Sequence, residues 1–530
     1  MLTSFMLLAV LLPAPSAVLA SAVAMPATLA APIQQDETVR DFRKYFRRAK
    51  DTWERVEYIQ ALKGIEDPKV AQLLLPITHD EDSAVAAAAV EVLAALPTAA
   101  SRAGLLLVVE KGKPKDDLPI VLQAAGVGPW PEFAELTRAH LSNKNPESRL
   151  WATVAAGRFG DTVALPTLAD IAFNDKLAVC RVAAIEAIVL LGVGFEEVVG
   201  PALVACLDAD ELAVQSAACV ALRTIRVRAA IAPLVDLLEH GEGRILSDVY
   251  PTLIELTDLQ YLDNPKIWRS WWSRAEESYK LLSSAEIKSR RAARAKTNEI
   301  YVPSRQAATF AGVATPSHSM VFVIDVSGSM EQYVVDREVF RKLGFTRFEK
   351  IEVVRREVIS AIESLESYVK FNIIAFASDT RHWRKKLSSA NSLNKRSALD
   401  FVRKLKPIGG ASSGAMAAAG LVGSAGVQKG RTNTFGALCE ALGYDPAMSM
   451  GVGNPVSGSV KSSVDTVFFL SDGIPSEGLL VDPDDILNAI TELNRFRRVV
   501  IHTVAIGDFQ KDFMIDLARQ NGGQYRDLGR

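Results

Sequence analysis

The stretch Met320–Met330, MVFVIDVSGSM, constrains this chain more than any other. Val321–Ile324, with Met320 before them, form a short apolar run of mostly β-branched or aromatic residues, the pattern of a strand buried on both faces. The run passes straight into Asp325-Val326-Ser327-Gly328-Ser329. One carboxylate and two hydroxyls, spaced by two, point the same way from a tight loop at a strand's carboxyl end. In an open α/β sheet that is the end where ligands sit. An oxygen-only cluster of this kind suits a hard divalent cation such as Mg²⁺. The plainer alternative is that DVSGSM is simply a turn.

From Met320 onward, strands and helices alternate. The pattern predicts strands at Met320–Asp325, Val369–Ala377, Thr466–Leu470 and Val499–Ile506. Helices are expected at about Arg347–Leu365, Ser397–Leu405, Thr434–Leu442, Asp484–Arg495 and Lys511–Gln520. Short apolar strands with helical crossovers imply a mostly parallel, doubly wound Rossmann-like sheet.

With these residues in place, the segment 319–530 resembles a von Willebrand factor type A domain. The metal-ion-dependent adhesion site of that family combines D-x-S-x-S, a Thr in a G-x-T-N-like loop, and an Asp in an S-D-G turn. Here the parts read Asp325-Val326-Ser327-Gly328-Ser329, Gly430-Arg431-Thr432-Asn433 and Ser471-Asp472-Gly473. The resemblance implies that Ser327, Ser329 and Thr432 give hydroxyl oxygens to Mg²⁺ (or Mn²⁺ or Ca²⁺). Asp325 and Asp472 would bind it directly or through water. Two carboxylates among three neutral hydroxyls leave such a cation able to accept a further oxygen, which a partner's Asp or Glu can supply.

One departure bears on Thr432. In the family the Thr follows soon after the preceding helix, often as G-G-T, but here Gly409-Gly410 is followed by Ala411. Residues 411–429, rich in Ala, Gly and Ser, read as a flexible insertion at the rim of the binding face. Thr432 is the better ligand because Asn433 and a helix follow it; Ser412 or Ser413 is the rival. Arg431 adds a positive charge that favours acidic partners.

The preceding half is different. Ala-rich helical text recurs in copies beginning at Val85, Arg149, Val179 and Val214, each after a shorter apolar helix and an acidic turn. Residues 36–258 thus resemble an all-α solenoid of HEAT-like repeats, whose hairpins bury their apolar faces only by stacking. A concave face would offer a second binding surface. Residues 259–318 read as a helical, partly basic linker. In it Trp268, Trp271 and Trp272 cap the last repeat, and Lys288–Lys296 forms a solvated basic face.

At 530 residues the chain exceeds one ordinary core, and its net charge of -2 gives no case for nucleic-acid binding. Cys180, Cys206, Cys219 and Cys439 are too scattered for a disulfide framework or a zinc site. Residues 1–35 read as a signal peptide or disordered terminus: Phe5–Leu12 is apolar, prolines follow, and cleavage is expected after Ala20 or near Ala30. Export to periplasm, cell surface or medium follows, with no membrane span left after cleavage. Gly410-Ala411-Ser412-Ser413-Gly414 matches the serine-hydrolase elbow G-x-S-x-G, but a basic segment with Pro407 precedes it where a buried strand is required. The sequence therefore points to a non-enzymatic, cation-dependent interaction or adhesion protein. The alternative is an intracellular accessory subunit of an ATPase or chelatase-type machine, since no phosphate-binding G-x-x-x-x-G-K-[ST] is present.

Overall fold

A computed structural model of the chain describes residues 31–111, 117–128, 130–293, 308–342, 344–410, 430–446, 463–472, 474–506 and 511–528. Residues 1–30 of the expected signal or disordered terminus, the insertion 411–429 with Ser412 and Ser413, and Gly473 lie outside the described residues; residues 31–35 instead begin the helix Ala31–Phe46. Within them, no helix is long and apolar enough to cross a membrane.

The amino-terminal region is helical, and every second helix packs against the next but one. The row Thr52–Gln60, Ser83–Ala94, Leu118–Val127, Pro146–Phe159, Ala178–Leu191, Leu212–Thr224 and Leu246–Thr257 is the more buried. Its helices begin 28–35 residues apart, and each copy read from the sequence falls on one of them. Small residues set the spacing. A Cβ on Gly157 would lie 2.9 Å from the Ala187 backbone, and one on Gly126 would lie 3.4 Å from Ala155. Helices that meet at Gly and Ala approach closely enough for Leu and Ile to fill the space between layers. Cys180, Cys206 and Cys219 are buried in this core as free thiols, and Cys439 is likewise free and buried in the sheet region.

The tryptophans close the array. Trp268 is fully buried in the array's core, meets Tyr261 edge-on at 5.2 Å, and donates from Nε1 to the Leu262 carbonyl at 2.8 Å. Part of the basic run continues into the helix Ser284–Ala293, where Arg291 pairs with Glu255 at 2.7 Å and Asp258 at 3.3 Å. That arginine ties the helix to the array while staying exposed, and Lys288, Ser289 and Arg290 beside it also face water, as expected of a solvated basic face.

Beyond it lies a mixed sheet. Its strands are β3 (Ser319–Asp325), β4 (Lys370–Phe376), β5 (Thr380–His382), β6 (Ser388–Ser389), β7 (Thr466–Ser471), β8 (Val500–Ala505) and β9 (Tyr525–Asp527). A separate hairpin, β1 (Ala308–Phe310) and β2 (Val313–Thr315), precedes it and turns through Ala311 and Gly312, both at positive φ. The sheet order is β5-β4-β3-β7-β8-β9, with β6 also on β4; β4, β3, β7, β8 and β9 run parallel and the two short edge strands antiparallel.

Among the described residues, five helices cover the sheet: α1 (Lys350–Ser364), α2 (Ser392–Arg403), α3 (Thr434–Leu442), α4 (Pro483–Asn494) and α5 (Lys511–Gln520). Alternate residues of β3 face opposite sides. Met320, Phe322 and Ile324 pack with α1, α2 and Phe310 of the hairpin. Val321 and Val323 pack with α3, α4 and α5. The chain leaves β3 towards β4 on one side, and β7 lies on the other, so the topological switch falls between β3 and β7.

The array docks against the opposite end of the sheet. Phe496, in the turn before β8, is buried in the array's core, and Arg495 Nε meets Glu186 Oε2 at 2.6 Å. Arg498 Nε donates to Ser216 Oγ at 3.3 Å, and Gly243 lies beneath the His318 ring. Part of the array's face is therefore covered by the sheet domain and is not open to a partner.

His502, in β8, stacks on Phe468 at 4.9 Å, and its Nδ1 accepts the Gln524 N–H at 3.0 Å. Burial pulls its pKa from 6.5 down to about 4. The unfolded chain therefore takes up the proton first. Stability is full above about pH 6.5 and is lost as pH falls towards about 4. Wild type should lose about 2 kcal/mol more than His502→Asn between pH 7 and pH 5 in denaturant titrations. Equal losses would refute this account of His502.

Candidate functional site

Asp325 ends β3 and is fully buried. Its Oδ1 accepts the Ser327 N–H at 2.8 Å and its Oδ2 accepts the Ser471 hydroxyl at 2.6 Å. Those two bonds fold the loop back over the strand end. Val326 continues the sheet's bonding by donating to the Phe376 carbonyl at 2.8 Å. The loop then presents Ser327 Oγ 3.0 Å from Ser329 Oγ, and Ser329 Oγ donates to Asp472 Oδ1 at 2.7 Å.

Thr432 arrives from elsewhere in the chain. Its N–H donates to Ser476 Oγ and its carbonyl accepts the Ser476 N–H, each at 3.0 Å. Asn433 donates its backbone N–H to Ala377 at 3.0 Å, while its Oδ1 caps α3 through the Gly436 N–H. The helix start and the end of β4 thus hold Thr432 from two sides.

Glycines let these loops meet. Gly328 donates its N–H to the Gly430 carbonyl at 3.0 Å, and a Cβ on Gly328 would come 2.9 Å from the Gly409 oxygen. A Cβ on Gly430 would fall 2.1 Å from the Ile408 oxygen. Gly410 and Gly430, which flank residues 411–429, therefore both abut the Asp325–Ser329 loop.

Ser327, Ser329, Thr432 and Asp472 line one cleft of about 320 Å³, with Gln332, Lys350, Gly430, Arg431, Ile474 and Ser476. The fold brings four of the five expected ligands to its walls and buries the fifth, Asp325, in hydrogen bonds to two of the same loops. Burial, and after it the charge of Asp472, push the Asp325 carboxyl up to about 6. Two carboxylates held together out of water favour a positive charge between them, and hydroxyl and carboxylate oxygens are the donors that hard divalent cations take. No group of three or more His, Cys, Asp or Glu side chains that could hold a metal occurs among the described residues. A site of three hydroxyls and two carboxylates lies outside that pattern.

Sequence reasoning missed Lys350. Its ammonium, with the side chain 4% exposed, donates to Asp472 Oδ2 at 2.5 Å and to Gln332 Oε1 at 3.3 Å. In the structure Lys350 is the first residue of α1, where the helix dipole disfavours a cation, but a helix expected from Arg347 does not show this. Ser471 was also overlooked as the residue that fixes Asp325. The elbow motif gains no support: residues 404–410 form no strand.

A doubly wound sheet with hydroxyls and carboxylates gathered at its switch point defines the class. The chain carries a von Willebrand factor type A domain, whose family model matches residues 349–527. The match includes Thr432 and Asp472 and begins after the Asp325–Ser329 loop. Inter-alpha-trypsin inhibitor heavy chain H4 of Homo sapiens is 26% identical over 216 residues, 41% of this chain and 18% of that protein. Heavy chain H1 of Mesocricetus auratus is 24% identical over 208 residues, 39% of this chain and 18% of that one. The chain thus spans under a fifth of the length of these relatives. The PilB minor pilin from Streptococcus sanguinis aligns with a TM-score of 0.27 and 14% identity over 40% of this chain and 57% of that one. At that score the likeness bears on neither fold nor function.

Gly430→Ala should cost about 1–3 kcal/mol of stability, because the new Cβ meets backbone rather than a flexible side chain. A denaturant midpoint equal to wild type would show that the close approach is dispensable.

Proposed function

We propose that this protein is an exported, non-enzymatic interaction protein whose sheet domain binds a partner's Asp or Glu through a divalent cation. Asp325, Ser327, Ser329, Thr432 and Asp472 would hold Mg²⁺ (or Mn²⁺ or Ca²⁺), which when bound offers the partner's carboxylate an electrophilic centre. The observation that carries this reading is the convergence of Ser327, Ser329, Thr432 and Asp472 on one cleft above the buried Asp325. On the wall of that cleft, Arg431 supplies positive charge and Ile474 is 51% exposed. Such a rim suits an acidic side chain set in an apolar stretch of partner.

The helical array we take as a HEAT-like solenoid; the alternating packing of its rows supports this, and its docking at the far end of the sheet leaves the cleft facing outward. Export rests on the apolar amino-terminal segment. Cell fractionation tests it, since a cytosolic product with an intact amino terminus would favour the ATPase-accessory alternative.

Calorimetric titration with Mg²⁺ should show one site. Thr432→Ala should weaken it at least about tenfold, the loss that removing even an outer-shell partner can cause. Ser412→Ala and Ser413→Ala should match wild type; the reverse pattern would move the ligand into 411–429. Affinity capture from native envelope or medium should lose the same partners with EDTA and with Asp325→Ala. Identical partner lists in all conditions would sink the adhesion reading.

A further inference from the structure

The cleft contains a cation of its own. Lys350 is anchored at both ends: its N–H donates to the Gln332 carbonyl at 2.8 Å, and its ammonium reaches Asp472 Oδ2 and Gln332 Oε1. An ammonium is strongly hydrated, and burying it is costly unless a carboxylate compensates it. Here Asp472 is that carboxylate, and it is also one of the five residues proposed to hold the divalent ion. The same oxygen cluster therefore answers to two positive charges.

We propose that Lys350 sets the charge of this site so that divalent-cation binding and carboxylate binding depend on each other; this rests on the cation-site reading above. Asp472 pairs with the ammonium and Asp325 is buried beside Asp472, so the two carboxylates and Lys350 together leave a single negative charge. A bound divalent ion changes that to a single positive charge in a cleft partly shielded from water, where net charge is poorly tolerated. Arg431 on the same wall is exposed and screened by water, so it stays outside this count. A partner's carboxylate brings the balance to neutrality. Without Lys350, the two carboxylates and the ion would already cancel. The ion would then bind more tightly alone, and an incoming acid would gain less. Lys350 thereby holds the site weakly loaded until an acidic ligand arrives.

The test uses the full chain as wild type, Lys350→Met, Lys350→Gln and Lys350→Arg, with Mn²⁺ as the cation and acetate as the carboxylate probe. Near-ultraviolet circular dichroism checks folding, and the neutral Gln variant, which keeps a hydrogen-bonding head, stands in should Met fail to fold. Mn²⁺ affinity is read by electron paramagnetic resonance with and without acetate, and the thermal shift caused by Mn²⁺ is read in parallel. Wild type and Lys350→Arg should bind Mn²⁺ more tightly in acetate. A neutral variant should bind Mn²⁺ at least about tenfold more tightly without acetate, as expected for one unit charge removed at short range. It should also show a larger Mn²⁺ thermal shift and no acetate enhancement. Equal or weaker Mn²⁺ binding by a folded neutral variant, or persistent acetate enhancement, would overturn the role given to Lys350 while leaving the cation site standing. If wild type itself binds no Mn²⁺ with or without acetate, the cation-site reading fails and this inference with it.

Discussion

Everything at the binding end of the sheet depends on the buried carboxylate of Asp325. It terminates the central strand, and its two oxygens are used by Ser327 N–H and the Ser471 hydroxyl, one on its own loop and one on the neighbouring strand. These bonds make the β3–β7 crevice a fixed frame rather than two independent loop ends. The cost is a carboxylate out of water beside a second one, which is why its pKa rises. A site that concentrates negative charge in this way is prepared for cations, and the chain supplies one in Lys350.

The central strand and its loop were legible because an apolar run and D-x-S-x-S each carry physical meaning in a few consecutive residues. The four longer strands and the helices Thr434–Leu442 and Lys511–Gln520 follow from the same periodicity. Other features carried weaker signals. Strands β1, β2, β5, β6 and β9 have only two or three residues each, too few to show alternation. Helix α2 begins at Ser392, five residues before the expected Ser397, because Asn391 caps it through the Asn394 N–H. Lys350 was hidden because the expected helix started at Arg347, which placed it one turn too deep for its position at the dipole to register.

The joint between the two halves was not legible, and for a different reason. It is made by residues such as Arg495 and Glu186, 309 positions apart, and no local pattern predicts that they meet. Burial there pushes the Glu186 carboxyl upward against the opposing effect of Arg495 and Arg498, and pulls Arg498 downward. Such a contact costs more than an exposed ion pair to form and more to break. With Phe496 inserted into the helical core, it ties the two halves at the end of the sheet remote from the cleft.

The meeting of Gly409, Gly410 and Gly430 at the Asp325–Ser329 loop has an evolutionary corollary. A segment whose two stems are clamped side by side can lengthen, shorten or be exchanged at small entropic expense, since closure grows only slowly with length. The chain could therefore revise what stands beside its cleft without retuning the oxygens that define it, much as a tool handle accepts different blades through one socket.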